Sequence, residues 1–100
     1  MKFIPKKIHN SFIVEIEKNE DERGFFARTY DVNEFKKYGL NSKIVQCNIN
    51  YTKKKGTVKG LHYQKTPFEE AKLIRCIRGS VYSVIVDLRP DSPTYKQSES

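Results

Sequence analysis

The sequence predicts an all-β domain carrying one short helix. Two observations predict it. Runs with a two-residue apolar period recur along the chain and are punctuated by Gly and Pro turn signals. Only one segment, near residues 32–38, carries helix start and stop signals at both ends. The chain has 100 residues, 37% apolar and 31% charged, which suits one small globular domain rather than a disordered segment. A chain this short buries only about 60–70% of its unfolded surface, so any core is thin.

The elements follow in order. Phe12 to Glu17 alternates apolar and acidic residues, and Phe25–Tyr30 follows the Arg23-Gly24 turn. Asp31 is the N-cap of the helix, Glu34 stands three residues on in capping-box position, and Gly39 provides the left-handed stop. Further strands are predicted at Lys43–Tyr51, Thr57–Gln64, Ala71–Ile77 and Val81–Leu88, separated by Lys55-Gly56, Thr66-Pro67 and Arg78-Gly79. Together they make about six short strands, a pattern that sandwiches and barrels share. The Arg89-Pro90-Asp91-Ser92-Pro93-Thr94 loop leads into Tyr95-Lys96-Gln97, a beginning of structure that the last three residues leave short. A closed β-domain needs more strands to cover its edges, so a domain cut short at its C-terminal side is expected.

Charge narrows the partners. Lys plus Arg is 19 and Asp plus Glu is 12, a net charge of +7. Between Tyr51 and Arg78 eight cations face two glutamates, so this stretch holds most of the excess. An anionic partner fits, whether phosphate, nucleic acid or a membrane surface; a solvated basic face fits as well. No apolar run approaches the ~18 residues that span a membrane. The N-terminus lacks the apolar core of a signal peptide, so a cytoplasmic location is expected. Cys47 and Cys76 are too few for a disulfide framework and match no zinc spacing; buried free thiols are expected.

His62 is the most informative residue. In an extended Gly56–Gln64 segment, Val58, Gly60, His62 and Gln64 share a face, and Gly60 leaves room beside the imidazole. A lone strand histidine is more often structural than functional, but its spacing to other residues adds to the case. Gly56, five residues and His62 reproduce the opening of the cupin motif. The second His position of that motif carries Gln64, and Lys72, with six residues between it and Gly79, stands where a ligand Glu would stand. An ammonium cannot ligate a metal, and one His with one amide is a poor site. The pattern therefore suits a cupin-like pocket without metal, in which a neutral His acts as base and a Lys meets developing negative charge.

Other candidates carry two readings each. Lys72 lies with Ile74 and Cys76 on one face of Ala71–Ile77; it fits a pocket cation or a snorkelling edge lysine. Gln46 and Asn48 share a face around Cys47, suited to paired hydrogen bonds with a ligand or to plain solvent exposure. Arg23 on its glycine turn suits bidentate phosphate binding, while Phe25 and Phe26 suit base stacking or, more commonly, the core.

Five stretches together resemble the dTDP-4-dehydrorhamnose 3,5-epimerase family of sugar-nucleotide epimerases. They are Asp21-Glu22-Arg23-Gly24-Phe25-Phe26, Gln46-Cys47-Asn48, Gly56 through Gln64, Ala71-Lys72-Leu73, and Val86-Asp87-Leu88-Arg89 with Ser92-Pro93-Thr94. Their order and spacing run through almost the entire chain. The resemblance implies a cupin-type β-jelly roll, of which residues 1–100 are the N-terminal portion, that forms homodimers and needs no cofactor. It implies that His62 removes protons next to the C4 ketone of a dTDP-4-keto-6-deoxyhexose, on the route to dTDP-L-rhamnose and cell-surface polysaccharide. Lys72 would stabilise the enolate oxygen. Arg23 would contact the nucleotide diphosphate, Gln46 and Asn48 would line the substrate pocket, and Lys59 would hold substrate near the diphosphate.

Several positions depart from the family pattern. Lys59 replaces the usual Arg, turning a bidentate contact into a point charge. Arg28 stands where a Glu often contacts the base, and Ser83 where an Asp is common. The family's proton-donating Tyr and its His-orienting Asp come from its C-terminal half, so Tyr82, Tyr95 and Asp87 are not given those roles. Two other classes compete with the epimerase. One is a non-catalytic sugar-nucleotide binding module with the same pocket. The other is a small basic OB-type nucleic-acid binder, which leaves the spacing of His62, Gln64 and Lys72 unexplained; no nucleic-acid or membrane partner is expected.

Overall fold

A computed structural model describes residues 1–100. It divides the chain into two compact units, one built from residues 1–42 and 76–100, the other from residues 43–75. All the strands and the helix belong to the first unit.

Strands β1 (Lys2–Pro5) and β2 (Phe12–Glu15) pair antiparallel, with Phe3 opposite Val14 and Ile4 opposite Ile13. Lys6 and Ser11 close the connecting loop, the Ser11 hydroxyl donating to the Ile8 carbonyl at 2.7 Å. Strands β3 (Lys18–Asp21) and β4 (Gly24–Ala27) form a second hairpin around the two-residue turn Glu22-Arg23. Neither β1 nor β3 stands out in the sequence. β1 has only four residues and ends on Pro5, and every residue of β3 is polar and exposed. Pairing with its neighbour, not apolar alternation, makes β3 a strand.

Helix α1 (Val32–Lys37) forms where its caps predict it. The Asp31 carboxylate accepts from the backbone N–H of Asn33 at 2.8 Å and of Glu34 at 3.2 Å. At the other end Gly39 adopts φ +67°, its N–H donates to Lys36 O, and Leu40 N–H donates to Phe35 O. This pair of bonds is a Schellman motif, which satisfies the last helical carbonyls and needs a residue that tolerates positive φ. The helix buries Phe35 against Phe3, ring centroids 5.3 Å apart and edge on. Phe3 also stacks on Tyr38 at 4.2 Å, and Phe12 and Tyr30 complete the cluster. Phe3, Ile8 and Phe35 are the buried apolar residues, so the core of this unit is one aromatic knot between β1, its loop and α1.

The end of the chain folds back on that loop. Strands β5 (Ile85–Val86) and β6 (Ser98–Glu99) pair antiparallel. The segment between them is gathered around Asp87, which is 3% exposed. Its carboxylate accepts from Arg89 Nε at 2.8 Å, Ser92 Oγ at 2.5 Å and Thr94 Oγ1 at 2.7 Å. Arg89 in turn donates to the His9 carbonyl at 2.6 Å, and Glu99 accepts from Ile8 N–H and Lys6.

The structure corrects several expectations. The all-β class with one helix near residues 32–38 holds, but the six strands make three separate two-stranded sheets that do not close a barrel. The strands expected at Lys43–Tyr51, Thr57–Gln64 and Ala71–Ile77 do not form, and Val81–Leu88 contracts to Ile85–Val86. Alternation marks a segment able to pair; a strand also needs an edge to receive its N–H and C=O groups. Residues 43–75 instead hold turns, with Thr57 N–H bonded to Lys54 O and Phe68 N–H to Lys65 O. Cys47 and Cys76 are free, as expected, but exposed rather than buried, because no layer packs on their segments. Phe25 and Phe26 are likewise exposed rather than in the core. No helix is long and apolar enough to cross a membrane.

Candidate functional site

In the first unit the candidate is Arg23. The β3–β4 turn projects its guanidinium, and Asp21 holds it from two residues away through Nη2–Oδ2 at 2.6 Å and Nε–Oδ1 at 3.3 Å. Asp21 also accepts from the Arg23 backbone N–H at 2.9 Å. The Arg23 side chain lowers the Asp21 pKa below the usual carboxylate range, with help from that N–H, and Asp21 raises the pKa of Arg23. Asp21 thus occupies Nε and Nη2 of the guanidinium and offsets part of its charge. Arg23 lines an open cavity of about 310 Å³ with Asn19, Asp21, Gly24, Phe25 and Phe26. An anion with a flat apolar group suits that lining, since a guanidinium binds phosphate and exposed rings accept stacking.

Residues 43–75 carry the remaining candidates, all exposed. Asn48 Nδ2 donates to Gln46 Oε1 at 3.4 Å, so the two amides do lie on one side of the chain. Lys59 Nζ donates to Asn50 Oδ1 at 2.7 Å. Lys72 Nζ pairs with Glu70 Oε1 at 2.9 Å. Lys72 is thus a half-exposed, paired cation, not a buried one. Gly60 has φ +84°, and a Cβ placed on it would stand 3.1 Å from His62 Nδ1 and 3.3 Å from the His62 backbone nitrogen. Positive φ favours glycine there, and a methyl group would press on the imidazole, which would have to give way. The segment forms no strand, so this close approach is not the strand-face relation expected from the sequence.

Asp87 is held within its own unit by Arg89, Ser92 and Thr94. Asn50 and Glu70 were not singled out in the sequence. Asn50 had a signal: it is the third amide of an alternation that begins at Gln46 and Asn48. Glu70 had none, since a glutamate two residues from a lysine is commonplace.

Chemically, these parts are a histidine with space on one side, two lysines whose ammonium groups are held by neighbours, paired amides and a turn-mounted guanidinium. Cations and N–H donors suit an oxygen-rich anion. An imidazole suits proton transfer near neutral pH.

Comparison with known proteins agrees with this chemistry. The family model described as dTDP-4-dehydrorhamnose 3,5-epimerase matches residues 5–100. A protein of that name from Sinorhizobium fredii is 43% identical over 75 residues, covering 75% of this chain and 38% of the relative. One from Shigella flexneri is 38% identical over 96 residues, covering 95% of the chain and 52% of the relative. One from Methanothermobacter thermautotrophicus is 38% identical over 94 residues, covering 94% and 50%. The chain spans about half the length of the curated relatives it matches. No solved structure matches it.

Proposed function

The chain belongs to the dTDP-4-dehydrorhamnose 3,5-epimerase family, and from that premise we propose that it serves a cofactor-independent epimerisation of a dTDP-4-keto-6-deoxyhexose at C3 and C5. The observation that carries this reading is the family match over residues 5–100, a span that includes His62, Lys72 and every other candidate. In the proposed mechanism the His62 imidazole takes a proton from the carbon next to the C4 ketone. The electron pair of the broken C–H bond moves into the ring as an enolate, and the negative charge settles on the C4 oxygen. Such a proton is acidic enough to remove only if that charge is met, and the Lys72 ammonium meets it. A proton delivered to the opposite face by a second acid, the part the family's C-terminal tyrosine plays, inverts the carbon, and His62 passes the proton it took to solvent. Lys59 and Arg23 hold the diphosphate, and Gln46 and Asn48 bind the sugar-nucleotide by paired hydrogen bonds. Residues 1–100 correspond to the N-terminal portion of a cupin-type jelly roll that works as a homodimer in the cytoplasm, on the route to dTDP-L-rhamnose.

A second reading has one observation in its favour. His62 and Lys72 stand exposed, whereas catalysis by fixed charges gains most in a site that excludes water. That suits a module that binds the sugar-nucleotide without turning it over. Incubation with dTDP-4-keto-6-deoxyglucose and NMR of the sugar separates the two. A C3- or C5-inverted product supports the epimerase. An unchanged sugar, with saturable dTDP binding by calorimetry, supports the binding module. A folded chain that does neither contradicts both.

A further inference from the structure

We propose that Asn50 is a positioning residue for Lys59, fixing its ammonium for the diphosphate of the substrate. The proposal rests on the diphosphate role of Lys59 given above and adds the residue that makes a lysine serviceable there. Lys59 Nζ donates to Asn50 Oδ1 at 2.7 Å, a side-chain bond across nine residues of chain. A lysine ammonium is a strongly hydrated point charge on a flexible four-carbon stem, so left alone it samples many positions. One bond to the Asn50 oxygen narrows that freedom before the ligand arrives and leaves two N–H donors for phosphate oxygens.

The chemistry of the partner matters. An amide oxygen accepts the bond without cancelling the charge, as a carboxylate would. The same amide keeps two N–H donors on its nitrogen, so Asn50 and Lys59 together offer an anion donors only. The neighbouring Asn48–Gln46 side-chain bond, at 3.4 Å, sets amides two residues apart on one side of the chain. Of the amides at 46, 48 and 50, Asn50 is the one bonded to the cation. A guanidinium at position 59 would need no such partner, since its fork is rigid.

Calorimetry on the full chain with dTDP and with thymidine tests the proposal. Asn50→Ala is expected to weaken dTDP binding about threefold to tenfold, the net worth of one ordinary hydrogen bond, and to leave thymidine binding unchanged. Asn50→Asp is expected to weaken dTDP further, because it keeps the contact and adds a negative charge. In a Lys59→Ala background Asn50→Ala is expected to add no further loss. Wild-type dTDP affinity in Asn50→Ala, or losses that simply add, would overturn the proposal. If the unmutated chain binds no dTDP, the diphosphate reading fails. The positioning is then read from the Lys59 ammonium in ¹⁵N NMR: faster proton exchange in Asn50→Ala supports it, and an unchanged signal overturns it.

Discussion

At the scale of single residues, the site depends on small permissions and small pairings. Gly60 is the clearest permission, since its missing side chain leaves the His62 ring its place. Gly60→Ala is expected to lower turnover about 10²-fold by displacing the imidazole, with KM nearly unchanged. Steady-state kinetics checks this, and a circular dichroism spectrum matching the parent separates it from misfolding. Lys72→Met removes the charge proposed to meet the enolate and is expected to slow turnover by about 10²–10³-fold. Asp87 is a pairing with a structural purpose. Arg89 first, then Ser92 and Thr94, hold its carboxyl well below the usual carboxylate range, against the opposing cost of burial. Because the folded pKa lies below the unfolded one, its contribution is present above about pH 4 and is lost as pH falls toward the folded value. Asp87→Asn is expected to destabilise the fold by about 2 kcal/mol at pH 7 and to flatten the acid limb of the stability profile. Urea unfolding from pH 7 to pH 2 measures both; parallel profiles would contradict this role.

At the scale of elements, the sequence reads well where the information is local and poorly where it is not. Helix α1 is determined by its own ends, Asp31 and Gly39, and both behave as their residue types dictate. The N–H groups of Glu34 and Asn33 lower the Asp31 pKa, so the cap strengthens as that carboxyl ionises. Asp31→Ala is expected to speed amide exchange at Asn33 and Glu34 above pH 5, with Asp31→Ser restoring protection. The strands are a different matter. β2 is legible from its apolar–acidic run and β4 from the aromatic pair after the Arg23-Gly24 turn, whereas β3 is all polar and owes its existence to its partner. Lys43–Tyr51, Thr57–Gln64 and Ala71–Ile77 have alternation and no partner edge, so they stay unpaired. Period two records that a segment is fit for a sheet; it holds no record of where the edge comes from. The site shows the same division. The Gln46–Asn48 pairing matches the i, i+2 expectation, whereas the Gly60–His62 approach comes from a positive-φ glycine in an unpaired segment, and the Lys59–Asn50 bond joins segments whose meeting no local rule encodes.

At the scale of the whole molecule, order and chemistry lie in different parts of the chain. Residues 1–42 and 76–100 hold every regular element and the aromatic core, and residues 43–75 hold His62, Lys72, Lys59 and the amides. The basic excess falls mainly in the second set, where Lys59 is held by the neutral amide of Asn50 and Lys72 pairs with Glu70. Charge read only as a total would suggest any polyanion; charge read by partner separates Lys59, whose charge is uncancelled, from Lys72, whose charge a carboxylate offsets. The central claim is that His62 takes a proton from carbon beside a ketone. It is tested most directly by incubating the chain and its His62→Ala variant with dTDP-4-keto-6-deoxyglucose in deuterated water and following C3 and C5 by NMR. Deuterium is expected at those carbons with the parent chain and none with His62→Ala. Exchange that persists in the variant, or is absent from a folded parent chain, would contradict it.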